Sequence, residues 1–233
     1  MSSVCVVFDF DGTILDTEST LYQAWAEVWD DHGHSLAAED WVLGIGTDNP
    51  FDPWHELELR LGRPIDPEVR VTQRLRRDEL QAVIPPRPGI ERWLTETHEL
   101  GIPVGVASSS SASWVEGHLT RLGMRTYFSC VVGRSASVPA KPRPDSYLRA
   151  CEELGADPSY SVAVEDSPHG VSAARSAGLF TIAVPHSLTI SLDLSAADLV
   201  VDSLERIPLS EALQRAAGRL GELPAGETAS TDG

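Results

Sequence analysis

From Val4 to Phe8 the chain is unbroken in apolar residues, and the run ends in Asp9-Phe10-Asp11-Gly12-Thr13. A strand buried on both faces has this pattern. It returns at Val104-Gly105-Val106-Ala107, at Cys130-Val131-Val132, at Ser161-Val162-Ala163-Val164 and at Phe180–Val184, with Leu199–Val201 as a shorter candidate. Between these runs the pattern reads as helices near Ile90–Leu100, Ala112–Leu122, Asp145–Gly155 and Pro168–Ala177. Strands that alternate with helices imply βαβ units, hence an α/β fold on a parallel sheet.

The stretch after the first strand has a different rhythm. Leu21, Trp25, Val28 and Trp29 fall at helical spacing, and Gly33 follows as a stop. Trp41 to Pro50 reads as a helix end and a loop, and further helices are expected over Pro53–Leu61 and Pro67–Val83. Pro85-Pro86-Arg87-Pro88-Gly89 then breaks the pattern. The expected organisation is a core of residues 1–15 and 85–221, a helical insert over 16–84 and a flexible tail over 222–233.

Charge narrows the function. The 233 residues hold 18 Lys and Arg against 35 Asp and Glu, a net charge of −17. That argues against non-specific binding to nucleic acid or to an anionic membrane. An anionic substrate would need local positive charge, from a metal or from a few placed Lys and Arg. The three cysteines, Cys5, Cys130 and Cys151, fit neither a metal spacing nor a disulfide framework, so a reducing cytoplasm is expected. No apolar run is long enough to span a bilayer, and no basic segment precedes the first apolar run as in a signal peptide.

The polar residues that follow each strand carry the chemistry. Asp9 and Asp11, two positions apart, point to the same side of the strand end, and Gly12 lets the chain turn away. Two such carboxylates repel unless a cation, a proton or a polar ligand separates them. Ser108, Ser109 and Ser110 follow the second strand, Glu165 and Asp166 follow Ser161–Val164, and Lys141 lies in a proline-rich loop. Taken singly, Ser110 or Ser111 reads as a helix N-cap, Ser167-Pro168 as N-cap plus first-turn proline, and Lys141 as a surface lysine. Taken together, the carboxylates can hold a divalent metal, and the lysine, hydroxyls and N–H groups a phosphate.

Four segments in this order, Asp9-Phe10-Asp11-Gly12-Thr13, Ser108, Lys141-Pro142-Arg143-Pro144-Asp145 and Glu165-Asp166-Ser167, resemble the motifs of the haloacid dehalogenase superfamily. The subfamily resembled is that of β-phosphoglucomutase-like phosphatases with a small helical cap. The resemblance implies a Rossmann-like three-layer core with the cap inserted after the first strand. It implies Asp9 as a nucleophile that forms an aspartyl-phosphate, and Asp11 as general acid and then base. Ser108 and the Ser109 N–H would hold phosphoryl oxygens, and Lys141 would pair with Asp9 and the phosphate. Mg²⁺ would sit on Asp9, the Asp11 carbonyl and Asp166, with Glu165 on it or directly behind.

Departures from the pattern discriminate among activities. Asp11 argues against a dehalogenase, which lacks an aspartate there. A mutase needs a cap arginine after a Gly-x-x segment and a histidine in the first cap helix; this chain has Asp48 and Asn49, and Leu21. An anionic Asp48 beside a second phosphate costs affinity, so hydrolysis is expected over isomerisation. The alternatives are a phosphomutase and a non-catalytic phosphate-binding or phosphoacceptor module. Arg70, Arg74 and Arg77 share one helical face, which fits a substrate clamp or a solvated face paired with Glu68, Asp78 or Glu79. Trp25, Trp29 and Trp54 fit a pocket wall or core packing. Glu18, near the hinge, and Asp48 are further candidates for substrate contact. The expected partner is a small phosphate monoester, a sugar or polyol phosphate, for a monomer or weak dimer that binds neither nucleic acid nor membrane.

Overall fold

In the sheet the third strand lies at one edge and the first in the middle. The computed structural model describes residues 4–42 and 51–218. Its strands are β1 (Val6–Phe8), β2 (Val104–Ala107), β3 (Cys130–Val132), β4 (Val162–Glu165), β5 (Phe180–Ala183) and β6 (Leu199–Val200). All pairings are parallel, in the order β3-β2-β1-β4-β5-β6. Val6 is in register with both Val104 and Val162. The chain builds outward from β1 to β3, then returns to the other side of β1 with β4. The carboxyl ends of β1, β2 and β4 therefore meet where the strand order reverses, the place where such sheets bind ligands. Leu199–Val200 supplies a sixth strand.

Alternation along the strands explains the three layers. Val6, Phe8, Val104, Val106, Val162 and Val164 face one side, where they meet Trp93 and Leu94 of α5 (Ile90–Glu99) and Val115 and Leu119 of α6 (Ala112–Arg121). Cys5, Val7 and Ala163 face the other, against Tyr147 and Ala150 of α7 (Asp145–Leu154) and Ala173 and Ala174 of α8 (Pro168–Ser176). Burying one such side chain stabilises by roughly 1.5–3 kcal/mol. Ser111 caps α6 and Ser167 caps α8, with Pro168 in its first turn.

Between β1 and the proline-rich crossover lie α1 (Thr17–Asp31), α2 (Ala38–Val42), α3 (Pro53–Leu61) and α4 (Pro67–Ala82). Asp16, Asp52 and Asp66 cap α1, α3 and α4, and a proline opens each of the last two. This block has its own apolar interior, built from Trp25, Val28, Trp29, Trp41, Leu57 and Ile65. Trp25 and Trp54 meet edge to face at 4.3 Å. Trp25 and Trp29 are thus packed in the interior of the block, with Trp54 partly buried against it.

A final helix, α9 (Leu209–Gly218), covers the first face with Leu209, Ala212 and Ala216. It was not expected from sequence, although those residues fall at i, i+3 and i+7. Among the described residues no helix is long and apolar enough to cross a membrane. The Gly44–Asn49 loop, with Asp48, and the tail expected at 222–233 lie outside the described residues.

Candidate active site

Lys141 is the centre of charge. It comes from the loop before α7 and is buried, as are Asp9, Glu165 and Asp166. Its Nζ pairs with Asp9 Oδ1 and, at 2.5 Å, with Glu165 Oε1. Tyr147 donates its hydroxyl to the same Glu165 oxygen at 2.6 Å. The other Glu165 oxygen accepts the Asp166 N–H at 3.1 Å. Burial works against the charge of Lys141, but Asp9 and Glu165 override it and its pKa is raised. Burial pushes the Asp9 carboxyl well above the usual carboxylate range, Lys141 opposes the shift, and Glu165 and Asp166 reinforce it.

Three carboxylates against one ammonium leave an excess of two negative charges. Asp9, Glu165 and Asp166 offer oxygens within 4.8 Å of one another. Asp9 Oδ2 is buried with no hydrogen-bond partner, and Asp166 Oδ2, also buried, has a ring nitrogen of His186 3.1 Å away. An orphaned anionic oxygen of this kind is what a divalent cation satisfies, and all-oxygen donors suit Mg²⁺. Glu165 spends both oxygens on Lys141, Tyr147 and the Asp166 N–H, so Asp9 and Asp166 are the carboxylates that remain for an ion. Two glycines permit this packing. A Cβ on Gly12, whose φ is +90°, would run into the Asp166 carboxylate, and one on Gly170 into Glu165.

Asp11 faces different neighbours. Its Oδ1 accepts the Thr17 hydroxyl at 2.7 Å and the Trp114 indole N–H at 3.0 Å. Its Oδ2 accepts the Ser110 hydroxyl at 2.7 Å, with the Ser108 hydroxyl at 3.5 Å. The Ser109 hydroxyl accepts the main-chain N–H of Lys141 at 3.2 Å and so holds the lysine loop. The structure therefore brings Asp9, Asp11, Ser108, Ser109, Lys141, Glu165 and Asp166 to one sheet edge.

Several residues at this edge were not expected. Arg87, in the proline-rich crossover, donates to the carbonyls of Gly12 at 2.5 Å and of Val184 and Pro185, each at 2.8 Å. Burial lowers its pKa, while Asp166 and Asp16 oppose the shift. His186, just past β5, places Nε2 3.1 Å from Asp166 Oδ2 and Nδ1 3.5 Å from Asp16 Oδ1. The next two residues reach the helical block: Ser187 lies 3.2 Å from Ser19, and Leu188 packs against the tryptophan cluster. An arginine among prolines at a crossover was the one local signal for Arg87; His186 carried none.

The block's own candidates divide. Glu18, in the first turn of α1, is pushed up to about 8 by burial and by the charges of Asp11, Asp166 and Asp16. The clamp expected of Arg70 and Arg74 is not formed. Arg70 pairs with Glu58 at 2.7 Å and lies over the Trp54 ring, Arg74 is exposed, and Arg77 pairs with Asp78 at 2.6 Å. Glu58 is on α3, which sequence spacing along α4 does not reveal.

A family model described as haloacid dehalogenase-like hydrolase matches residues 6–184. The chain belongs to this family. Among curated members, the YhcW protein of Bacillus subtilis is 36% identical over 208 residues, covering 88% of this chain and 94% of YhcW. The fructose-1-phosphate phosphatase YqaB of Escherichia coli is 30% identical over 181 residues, covering 77% and 95%. Among solved haloacid dehalogenase-like structures, CbbY from Rhodobacter sphaeroides in complex with phosphate superposes with a TM-score of 0.70 at 28% identity, covering 92% of this chain and all of that one.

Proposed function

We propose that this hydrolase is a magnesium-dependent phosphatase that cleaves a small sugar or polyol phosphate through an aspartyl-phosphate. The observation that carries the reading is the Lys141 ammonium wedged between Asp9 and Glu165 while Asp9 Oδ2 stands unpartnered beside Asp166, within reach of one shared ion. Phosphoryl transfer needs a positioned nucleophile and cancelled charge more than elaborate covalent chemistry. Asp9, Asp166 and the Asp11 main-chain carbonyl would hold the Mg²⁺. Once bound, the ion neutralises charge on the phosphoryl oxygens.

Asp9 attacks phosphorus and forms a new P–O bond as the bond to the leaving oxygen breaks. Asp11 gives that oxygen a proton. Asp11 then takes a proton from the water that attacks the aspartyl-phosphate, and phosphate leaves as the Asp9 carboxylate is restored. Lys141, Ser108 and the Ser109 N–H hold the phosphoryl oxygens in line. The helical block over 16–84 acts as a cap that excludes water when closed. Glu18, whose carboxyl is pushed up by burial and by Asp11, Asp166 and Asp16, contacts a substrate hydroxyl from the cap, accepting a hydrogen bond when ionised and giving one when protonated. The 30% identity to a fructose-1-phosphate phosphatase supports a polyhydroxylated leaving group. Leu21 and Asp48, where a mutase needs basic residues, support hydrolysis over transfer.

Phosphate release is the test, across sugar phosphates, polyol phosphates and nucleotides with Mg²⁺. The expected result is turnover of a sugar or polyol phosphate that stops on chelation and is absent in Asp9→Asn. Turnover by Asp9→Asn, or conversion of a hexose 1-phosphate to its 6-phosphate, would overturn the reading. Mg²⁺ should raise the melting temperature of the wild type and leave Asp166→Asn unmoved.

A further inference from the structure

Asp11 is anchored both from the helical block and from the core. Thr17 opens α1, so its bond to Asp11 Oδ1 belongs to the helical block. Ser110 and Trp114 belong to the core, in the loop before α6 and in its first turn. Trp114 is itself well fixed. Its main-chain N–H bonds the Ser111 cap, and its ring meets His118 edge to face at 4.4 Å. His118 lies against Phe10, whose neighbour in sequence is Asp11. The indole N–H donates and cannot accept, so it fixes Oδ1, and the proton is left to Oδ2, whose Ser110 and Ser108 neighbours are hydroxyls that can donate or accept.

We infer that Trp114 is a positioning residue for proton transfer by Asp11. It fixes the carboxylate from the core side, so the orientation survives when cap opening carries Thr17 away. The inference rests on the acid–base role proposed above for Asp11. A carboxylate free to rotate loses the geometry on which general acid catalysis depends.

That role has a signature that simple loss of packing lacks. A poor leaving group, such as the alkoxide of a sugar or polyol, needs the proton as the P–O bond breaks. p-Nitrophenolate leaves without one. The measurement is kcat/KM, which reports on steps through departure of the leaving group, for an alkyl phosphate that the enzyme turns over and for p-nitrophenyl phosphate. In Trp114→Phe the alkyl value should fall about tenfold and the aryl value hardly at all, a fraction of the ~10²–10⁴ that general acid catalysis supplies. Asp11→Asn should show the same contrast, larger. If Asp11→Asn shows it and Trp114→Phe lowers both values equally or neither, the inference about Trp114 fails. If Asp11→Asn itself shows no contrast, the acid role fails first. Should Trp114→Phe not fold, 3-benzothienylalanine at position 114 keeps the bicyclic shape and replaces the N–H with sulfur, and the same two outcomes decide.

Discussion

The Arg87 guanidinium donates to the Gly12 carbonyl at 2.5 Å, which ties the chain's return from the helical block to the turn by which it left the sheet. The same group holds Val184 and Pro185 beyond β5, and the Arg87 N–H bonds the Ile14 carbonyl. Arg87→Met should leave three carbonyls without this donor at a cost of about 2–4 kcal/mol, read from urea unfolding. Its activity should fall by more than Arg87→Lys loses, since a point charge cannot span the carbonyls that the planar fork reaches.

Lys141→Met leaves Asp9 and Glu165 buried without their cation. The expected cost is roughly 3–5 kcal/mol in chelator, with activity at background. Mg²⁺ should then raise the melting temperature by more than it does in the wild type, because it takes over the charge balance that Asp9 and Glu165 lose with the ammonium. Equal shifts in the two proteins would separate the metal from this charge balance.

Asp9→Asn should lose turnover and gain stability. Ionised Asp9 stands against burial, Glu165 and Asp166, with Lys141 alone in its favour. In chelator at pH 7 the amide should be the more stable of the two proteins, read from urea unfolding. A less stable Asp9→Asn would mean that the Lys141 pair outweighs the cost of burial.

Glu18 sets a pH dependence. Its pKa is about 8 in the folded chain and near 4.5 unfolded, so between those values the folded state holds a proton that the unfolded state has lost. Its contribution is present below about pH 4.5 and is lost as pH rises towards 8. Glu18→Gln should flatten metal-free stability across this window and stand above wild type at pH 8, by up to about 4 kcal/mol. Thermal unfolding at pH 5, 6, 7 and 8 in chelator checks it; parallel curves would remove Glu18 from the site.

The sheet was legible because parallel strands buried on both faces announce themselves, and because the residue after each strand has one place to go. Asp9, Ser108 and Asp166 could be placed together from that rule alone. Charge logic along one helix misled at Arg70, whose partner Glu58 sits on a neighbouring helix. Nor could spacing find Trp114, Arg87 or His186. Their partners lie 103, 75 and 20 positions away, respectively Asp11, Gly12 and Asp166, and the contacts exist only once the sheet has formed. Leu209, Ala212 and Ala216 carried a readable helical stripe, but alanine is a weak apolar marker.

The segment that follows β5 has a consequence for anyone who wishes to retarget this scaffold. His186 stands between Asp166 and Asp16, Ser187 touches Ser19, and Leu188 is seated among the tryptophans of a block encoded more than a hundred positions upstream. A chimera that imports α1 to α4 from a relative would inherit a foreign seat for Leu188. Residues 186–188 therefore travel with the block as one exchangeable cassette in two pieces, and swaps that honour only the obvious junctions at 16 and 84 would cut through it.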